Sequence, residues 1–303
     1  MRSLLRALES AHESQSLNRN GLWHDGLTDG VLVVKVAVFL GIGLVAAGWP
    51  AAAACAGDTG AGFEGLSLGI HAGAASGRSS YSTEPNCPPT ADAVFCNAAP
   101  DPSAVNGTAV AASGSGKVVS RGLTGGVQAG YNWQSGRIVY GGEADFAALD
   151  FDETATASGA FPFPFLGTQY SVTNKTTLNW VSTLRARLGV TVTPRVLLYA
   201  TGGAAFARIR FSSAYSDDAI DPTFPGGSGS GSTNPVKTGW VAGGGAQWAL
   251  DRQWSMKAEY LYADFGPVSV AVPVTNTPNF AQTMSATSSV SMHLMRIGFD
   301  YRF

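Results

Sequence analysis

Ile138-Val139-Tyr140-Gly141-Gly142-Glu143-Ala144-Asp145-Phe146 reads with period two. Tyr140 and Phe146 fall on one side of the alternation, and Glu143 and Asp145 fall on the other. A β-strand sends successive side chains to opposite faces, so this segment is a strand with one apolar face and one charged face.

The pattern recurs along the chain in Leu66 to Gly73, Val127 to Trp133, Leu178 to Leu188, Val196 to Ile209, Gly239 to Trp248, Trp254 to Tyr262 and Val290 to Phe303. With Ile138 to Phe146, these make eight strands. Most are close to the roughly 9–11 residues that a tilted membrane-spanning strand needs. Strand five, around Tyr199 to Phe206, shows no clean parity, which leaves its facing open and admits a bulge.

The connections alternate in length. Gln134 to Arg137, Val190 to Arg195 and Leu250 to Gln253 are tight turns. The other four are long, beginning with residues 77–120, and are uncommon in a compact soluble domain. Short turns at one end and long loops at the other fit an outer-membrane barrel. The apolar faces carry Leu66, Val127, Trp133, Leu184, Trp248 and Ile297, and the large residues opposite are mostly ionisable among many glycines. A soluble barrel would turn the apolar face inward and the charges outward. Aromatics near the short turns, notably Trp133, Trp248, Trp254, Tyr301 and Phe303, read as a periplasmic girdle. Closure also gives every backbone group a partner in lipid, where water supplies none. The expected fold is all-β: an eight-stranded antiparallel transmembrane barrel with short periplasmic turns and four long extracellular loops.

Composition agrees. Charged residues are 13% of 303 and the net charge is −2, against about 25% charged in an ordinary soluble domain. Disorder needs high charge with low hydrophobicity. Nucleic-acid binding needs a basic excess that is missing.

Val36 to Trp49 is uncharged and followed by Pro50 and small residues. That length suits a signal-peptide core rather than a spanning helix. Residues 31–56 are read as a signal peptide, cleaved near Ala54 or Ala56. Residues 1–30 form an N-terminal extension with net negative charge, unlike a signal n-region, and a mispredicted start is one reading. Residues 57–303 form the barrel. Cys87 and Cys96 suggest a local loop disulfide in an exported chain.

Gly130-Tyr131-Asn132-Trp133, Tyr140 to Asp145, Leu184-Arg185-Ala186-Arg187-Leu188-Gly189, Tyr199 to Ala205 and Ala258-Glu259-Tyr260-Leu261-Tyr262 together resemble the small porin-family outer-membrane β-barrel proteins, the opacity-type relatives of the OmpA membrane domain. The ending, with Phe299, Tyr301 and Phe303, looks like the C-terminal signal read by the barrel-insertion machinery. The resemblance covers roughly residues 60–303. It implies residence in the outer membrane of a Gram-negative bacterium, outer-membrane lipid and the insertion machinery as partners, and a structural or small-pore role. It also implies loops that sometimes face a host or phage, which keeps a surface adhesin or receptor as the alternative. No catalytic site and no cofactor are implied.

The informative constellation is the inward charge. Parity places Glu143, Asp145, Arg185, Arg187, Lys257, Glu259 and Arg296 on the lumen face. An eight-stranded bore is just wide enough for side chains to fill. The charges form either a gated pore, whose ion pairs exchange partners, or a salt-bridged plug; the narrow bore favours the plug. His71 points inward and His293 outward, so they are not expected to share a metal. Gly114-Ser115-Gly116-Lys117 lacks the first Gly and the final Ser or Thr of a phosphate loop and is read as the root of loop one. Val268, Val270, Val272 and Val274 alternate, so the last hairpin is expected to extend above the membrane with its tip at Thr275 to Pro278.

Overall fold

The computed structural model describes residues 62–86, 104–162, 167–219, 226–276 and 280–303. The chain folds as β1 (Gly65–Asn86), α1 (Ala104–Ser113), β2 (Gly116–Ser135), β3 (Ile138–Ala160), β4 (Gln169–Thr193), β5 (Val196–Asp217), β6 (Ser228–Thr233), β7 (Val236–Ala249), β8 (Trp254–Asn276) and β9 (Phe280–Arg302). All pairings are antiparallel; sequence neighbours pair from β1 to β6 and from β7 to β9, and β1 pairs with β9 to close the ring. β6 and β7 both lie between β5 and β8, one above the other, so the nine segments occupy eight lanes. Residues 1–56, the proposed Cys87–Cys96 bridge and positions 277–279 at the last hairpin's tip lie outside the described residues.

The short turns are built as the sequence suggests. Gly136 takes φ 60° in a two-residue turn between Ser135 and Ile138, where a glycine at the first central position suits a hairpin. Pro194 and Arg195 join Thr193 to Val196, with proline's fixed φ at the position that favours it. In the third turn Asp251 Oδ1 accepts from the backbone amides of Gln253 and Trp254, both at 2.7 Å.

The strands are far longer than the membrane requires. β3 and β8 each run 23 residues and β4 runs 25. Twenty-odd residues give a contour of about 75 Å, which at a barrel tilt still overtops an apolar band of about 25 Å. Much of what reads as loop in the sequence is therefore strand. The physical reason is a change of polarity along each strand. In β3, Tyr140 and Phe146 face out below, while Asp150 and Asp152 face out above. On the inner side, Glu143 and Asp145 give way to Ala147, Leu149 and Phe151, all buried. Parity is unbroken while both faces exchange character, so the outer lipid boundary lies near Ala148 on this strand.

Above that level the barrel has the core of a soluble protein. Phe151, Leu178, Ile209, Phe211, Leu261 and Phe265 fill the lumen with almost no exposure. A second apolar layer sits higher, where Val110 of α1 packs with Tyr170, Val172, Tyr215, Val272 and Met284. α1 is alanine-rich, which favours helix, and it ends at Gly114, whose amide donates to Val110 O at 2.9 Å. The Gly114 carbonyl accepts from Thr83 Oγ1 at 2.9 Å and from Asn174 Nδ2 at 3.1 Å. The root of loop one thus fastens a helix over the mouth of the barrel.

The last hairpin forms as expected, with Asn276 opposite Phe280. Its Val268, Val272 and Val274 point into the extended core rather than outward. Strand five keeps one parity throughout, with Leu197, Tyr199, Ala205 and Ile209 inward. The irregularity lies on the adjacent β4, whose register shifts between Leu178 and Val181.

Candidate functional site: a closed ionic layer in the lumen

All seven charges predicted for the lumen meet in one buried layer, contributed by β3, β4, β8 and β9. Arg185 is the hub. Its Nη2 donates to Glu143 Oε1 at 2.5 Å and to Asp145 Oδ2 at 2.9 Å, and its Nη1 donates to Glu259 Oε1 at 2.9 Å. Its Nε donates to Thr183 Oγ1 at 2.9 Å. Arg296 bridges Asp145 at 3.2 Å and Glu259 at 2.5 Å. Lys257 Nζ donates to both oxygens of Glu143 at 2.8 Å. Arg187 is the outlier, 3.5 Å from Glu143 Oε2, and it lies over the Tyr199 ring with 4.0 Å to the centroid. The Arg185 side chain has 0% exposure.

The backbone register explains why so many glycines face this lumen. Glu143 lies across from Gly130, Arg187 from Gly141, and Arg185 from Gly203. Lys257 lies across from Gly298, Glu259 from Gly245, and Arg296 from Gly73. Each long charged side chain has an inward neighbour with no side chain. The bore of an eight-stranded barrel is just wide enough for side chains to fill, and a glycine beside each charge leaves it room.

Several members of the layer are absent from the set predicted from sequence. Tyr199 donates to Glu259 Oε1 at 3.1 Å. Gln247 accepts from Arg187 at 2.9 Å. Asp300 is buried and accepts from Gln128 Nε2 at 2.5 Å, adding a fourth carboxyl beside the four cations. Asp300 shares the parity of Arg296 and was accessible to the same reasoning. Tyr199 was not, because its strand is small on both faces.

His71 is buried in the lumen, with Nε2 3.5 Å from Arg296 Nη1. His293 faces out, where the Tyr260 hydroxyl lies 2.6 Å from its Nδ1. The barrel wall separates the two. At the periplasmic rim Tyr301 packs edge-on against Trp254 at 5.1 Å and Phe303 at 5.0 Å, beside the outward Phe299.

The outer membrane protein beta-barrel domain model matches residues 37–303. The chain belongs to that family. This outer-membrane barrel is 35% identical to the 31 kDa outer-membrane immunogenic protein of Brucella melitensis biotype 1 over 193 residues, covering 63% of this chain and 70% of the relative. It is 31% identical to the 22 kDa outer membrane protein of Rhizobium leguminosarum bv. viciae over 144 residues, 48% of this chain and 53% of that protein. Among solved structures, Ail, the attachment invasion locus protein of Yersinia pestis, aligns over 80% of this chain and 100% of its own with 16% identity and a TM-score of 0.32. The barrel therefore resides in the outer membrane of a Gram-negative bacterium, with the short turns at the periplasmic end.

Proposed function

We propose that this outer-membrane barrel serves as a structural element of the envelope with a lumen closed at rest, and at most small and intermittent conductance. The observation that carries the reading is Arg185, which from β4 reaches three carboxylates on β3 and β8 and leaves no exposed surface. The apolar layers above it support the same reading, since a water path would have to cross Phe151, Phe211 and Phe265 after the ionic layer. The test is single-channel recording of the refolded protein in a planar bilayer beside Arg185→Ala. Wild-type silence is expected, with at most brief openings in the variant. Regular wild-type openings that the variant alters would sink the proposal and make the layer the lining of a pore.

A second reading, surface contact with an extracellular partner, draws on the long projection of the strands above the apolar band. The name of the Brucella relative, an immunogenic protein, fits a part that is accessible from outside. Removing the hairpin above Gly266 should abolish such contact while leaving the membrane-embedded half folded. Delivery by the insertion machinery through the rim of Phe299, Tyr301 and Phe303 belongs to the same proposal.

A further inference from the structure

The lipid-facing wall of β9, β1 and β2 carries a feature that the lumen does not explain. One rung across the three strands reads His293, Ser76, Arg121. The rung above reads Ser291, Arg78, Val119, and the next Ser289, Ser80, Lys117. His293, Arg78, Arg121 and Lys117 are exposed. Among the described residues, no ion pair or side-chain hydrogen bond engages Arg78, Arg121 or Lys117. Neighbouring lanes are about 4.8 Å apart, and one rung is about 7 Å along a strand. The two arginines and Lys117 therefore form a compact basic group with serine hydroxyls between them.

Directly beneath, the same lanes turn apolar and the middle one is small. Ala74 lies between Met295 and Leu123, and Ala72 lies between Ile297 and Gly125. Met295 and Leu123 are among the most exposed apolar side chains, at 64% and 73%. They flank a shallow furrow along β1. The wall also carries a hollow of about 490 Å³ where Ala72, Ala258, Tyr260 and Met295 come together.

We propose that this strip binds a phosphorylated, multiply acylated glycolipid of the outer leaflet. The proposal rests on the outer-membrane location established above. Arg78 and Arg121 hold the phosphates, with Lys117 above them, and the furrow over Ala72 and Ala74 takes an acyl chain. Guanidinium groups match phosphate oxygens with paired, charge-assisted hydrogen bonds. Their stems lie on apolar wall while their heads reach the headgroup layer. Of the carboxylates around the strip, Asp152 on the outer face of the adjacent β3 is paired with Lys175 at 3.0 Å, and Asp150 stands one rung below it on the same face. Asp264 stands on the Ser291 rung but accepts from the Tyr262 hydroxyl at 3.3 Å and the Gly266 amide at 2.8 Å. Glu84 lies three rungs above Arg78 on the same strand. A second basic pair, Arg208 and Arg210 on β5, serves as the comparison. Phe206 stands one rung below Arg208, and Trp180 stands on the adjacent β4, so no small-residue furrow underlies that pair.

The test uses the refolded protein in maltoside micelles and native mass spectrometry. The probes are hexa-acyl diphosphoryl lipid A, the same lipid without phosphates, and inorganic phosphate as competitor. Wild type should hold one diphosphoryl lipid at least tenfold more tightly than the dephosphorylated form. Arg78→Ala with Arg121→Ala should abolish that preference, and Arg208→Ala with Arg210→Ala should leave it intact. Ala74→Trp, which fills the furrow without touching a charge, should weaken lipid binding severalfold. A heat-dependent gel shift reports folding of each variant, and if the first double variant fails it, the wild-type lipid comparison and Ala74→Trp decide. Equal affinity for the two lipids, equal losses in both double variants, an unaffected Ala74→Trp, or displacement by millimolar phosphate would overturn the proposal.

Discussion

Arg185 on β4 donates from Nη1 to Glu259 Oε1 on β8 at 2.9 Å, joining two strands that lie three lanes apart in a ring of eight. The bond crosses the bore rather than running along the wall. Because the same guanidinium also holds Glu143 and Asp145, none of β3, β4 and β8 can move outward without breaking a buried charge pair. Closure of the lumen and rigidity of the barrel are one property here.

Removing the hub should therefore cost stability. Arg185→Ala leaves three carboxylates without their shared cation, and breaking a buried pair in this way costs about 3–5 kcal/mol. The expected result is a marked fall in the urea midpoint of the refolded protein. Glu259→Gln in the same background should recover part of the loss, because it removes one of the stranded charges. A midpoint within about 0.5 kcal/mol of wild type would mean that water already shares the layer.

The exchange of polarity along β3 makes the effect of a substitution depend on height. Phe146 faces lipid at 50% exposure and Phe151 faces the core at 1%. A charge at a lipid-facing position deep in the bilayer costs about 2–4 kcal/mol and less near the interface, so Phe146→Lys should impair folding into lipid vesicles. Asp150→Lys, four residues on and still outward, should fold as wild type does. Phe151→Ala should lose about 3–5 kcal/mol, as in a soluble core. Equal tolerance of Phe146→Lys and Asp150→Lys, read by folding yield into vesicles, would place the lipid boundary higher than near Ala148.

Glu153 gives the extended core a pH response. It lies on β3 above the lipid boundary and is buried, facing the Tyr81 hydroxyl at 3.4 Å. Burial pushes its carboxyl above the usual carboxylate range. A folded value raised above the unfolded one gives stability that is full below the unfolded value and is lost as pH rises through the folded value. The extracellular core should thus be firmer in mild acid than at neutral pH, in the window just above the ordinary carboxylate range. Glu153→Gln should remove that part of the pH profile and stabilise the neutral form. Proteolysis of the extracellular half as a function of pH reads this directly, and a profile unchanged in Glu153→Gln would assign the response elsewhere.

How much was legible from sequence follows from the same polarity argument. In the membrane-embedded half, parity alone located Glu143, Arg185, Lys257 and Arg296, because lipid demands an apolar outer face and the charges stand out against glycine. Above the boundary the demand reverses. Asp150 and Asp152 then look like loop residues, although they sit on the outer face of a continuing strand. Tyr199 was hidden because Ala200, Gly202, Gly203 and Ala204 give its strand no contrast between faces. The matching of each lumen charge to a glycine across the sheet needs the register, and alternation within one strand carries no register.

Gly266 tests whether the extended core depends on a single backbone irregularity. It takes φ 67°, a conformation that costs other residues roughly 1–2 kcal/mol. The β8–β9 register shifts there, between Asp264 and Pro267. Below it Phe265 points inward, and above it Val268, Val272 and Val274 do, so inward parity passes from odd to even positions across the bulge. Deleting Gly266 removes the one extra residue, so Phe265, Pro267 and Val268 follow in plain alternation and the valines keep their inward facing. One alanine inserted between Pro267 and Val268 instead slips the strand by one residue, which turns the valines to water and brings the outward Ser269 and Ala271 into the core. The insertion variant should keep its heat-dependent gel shift, because the membrane-embedded half is untouched, yet bind an apolar-surface dye such as ANS severalfold more strongly, whereas the deletion should bind no more dye than wild type. Gly266→Ala keeps the residue count and should show only a lowered urea midpoint, with no gain in dye binding. If the insertion binds no more dye than wild type, the hairpin re-registers around the added residue, and the residue count at the bulge is not what aims the valines inward.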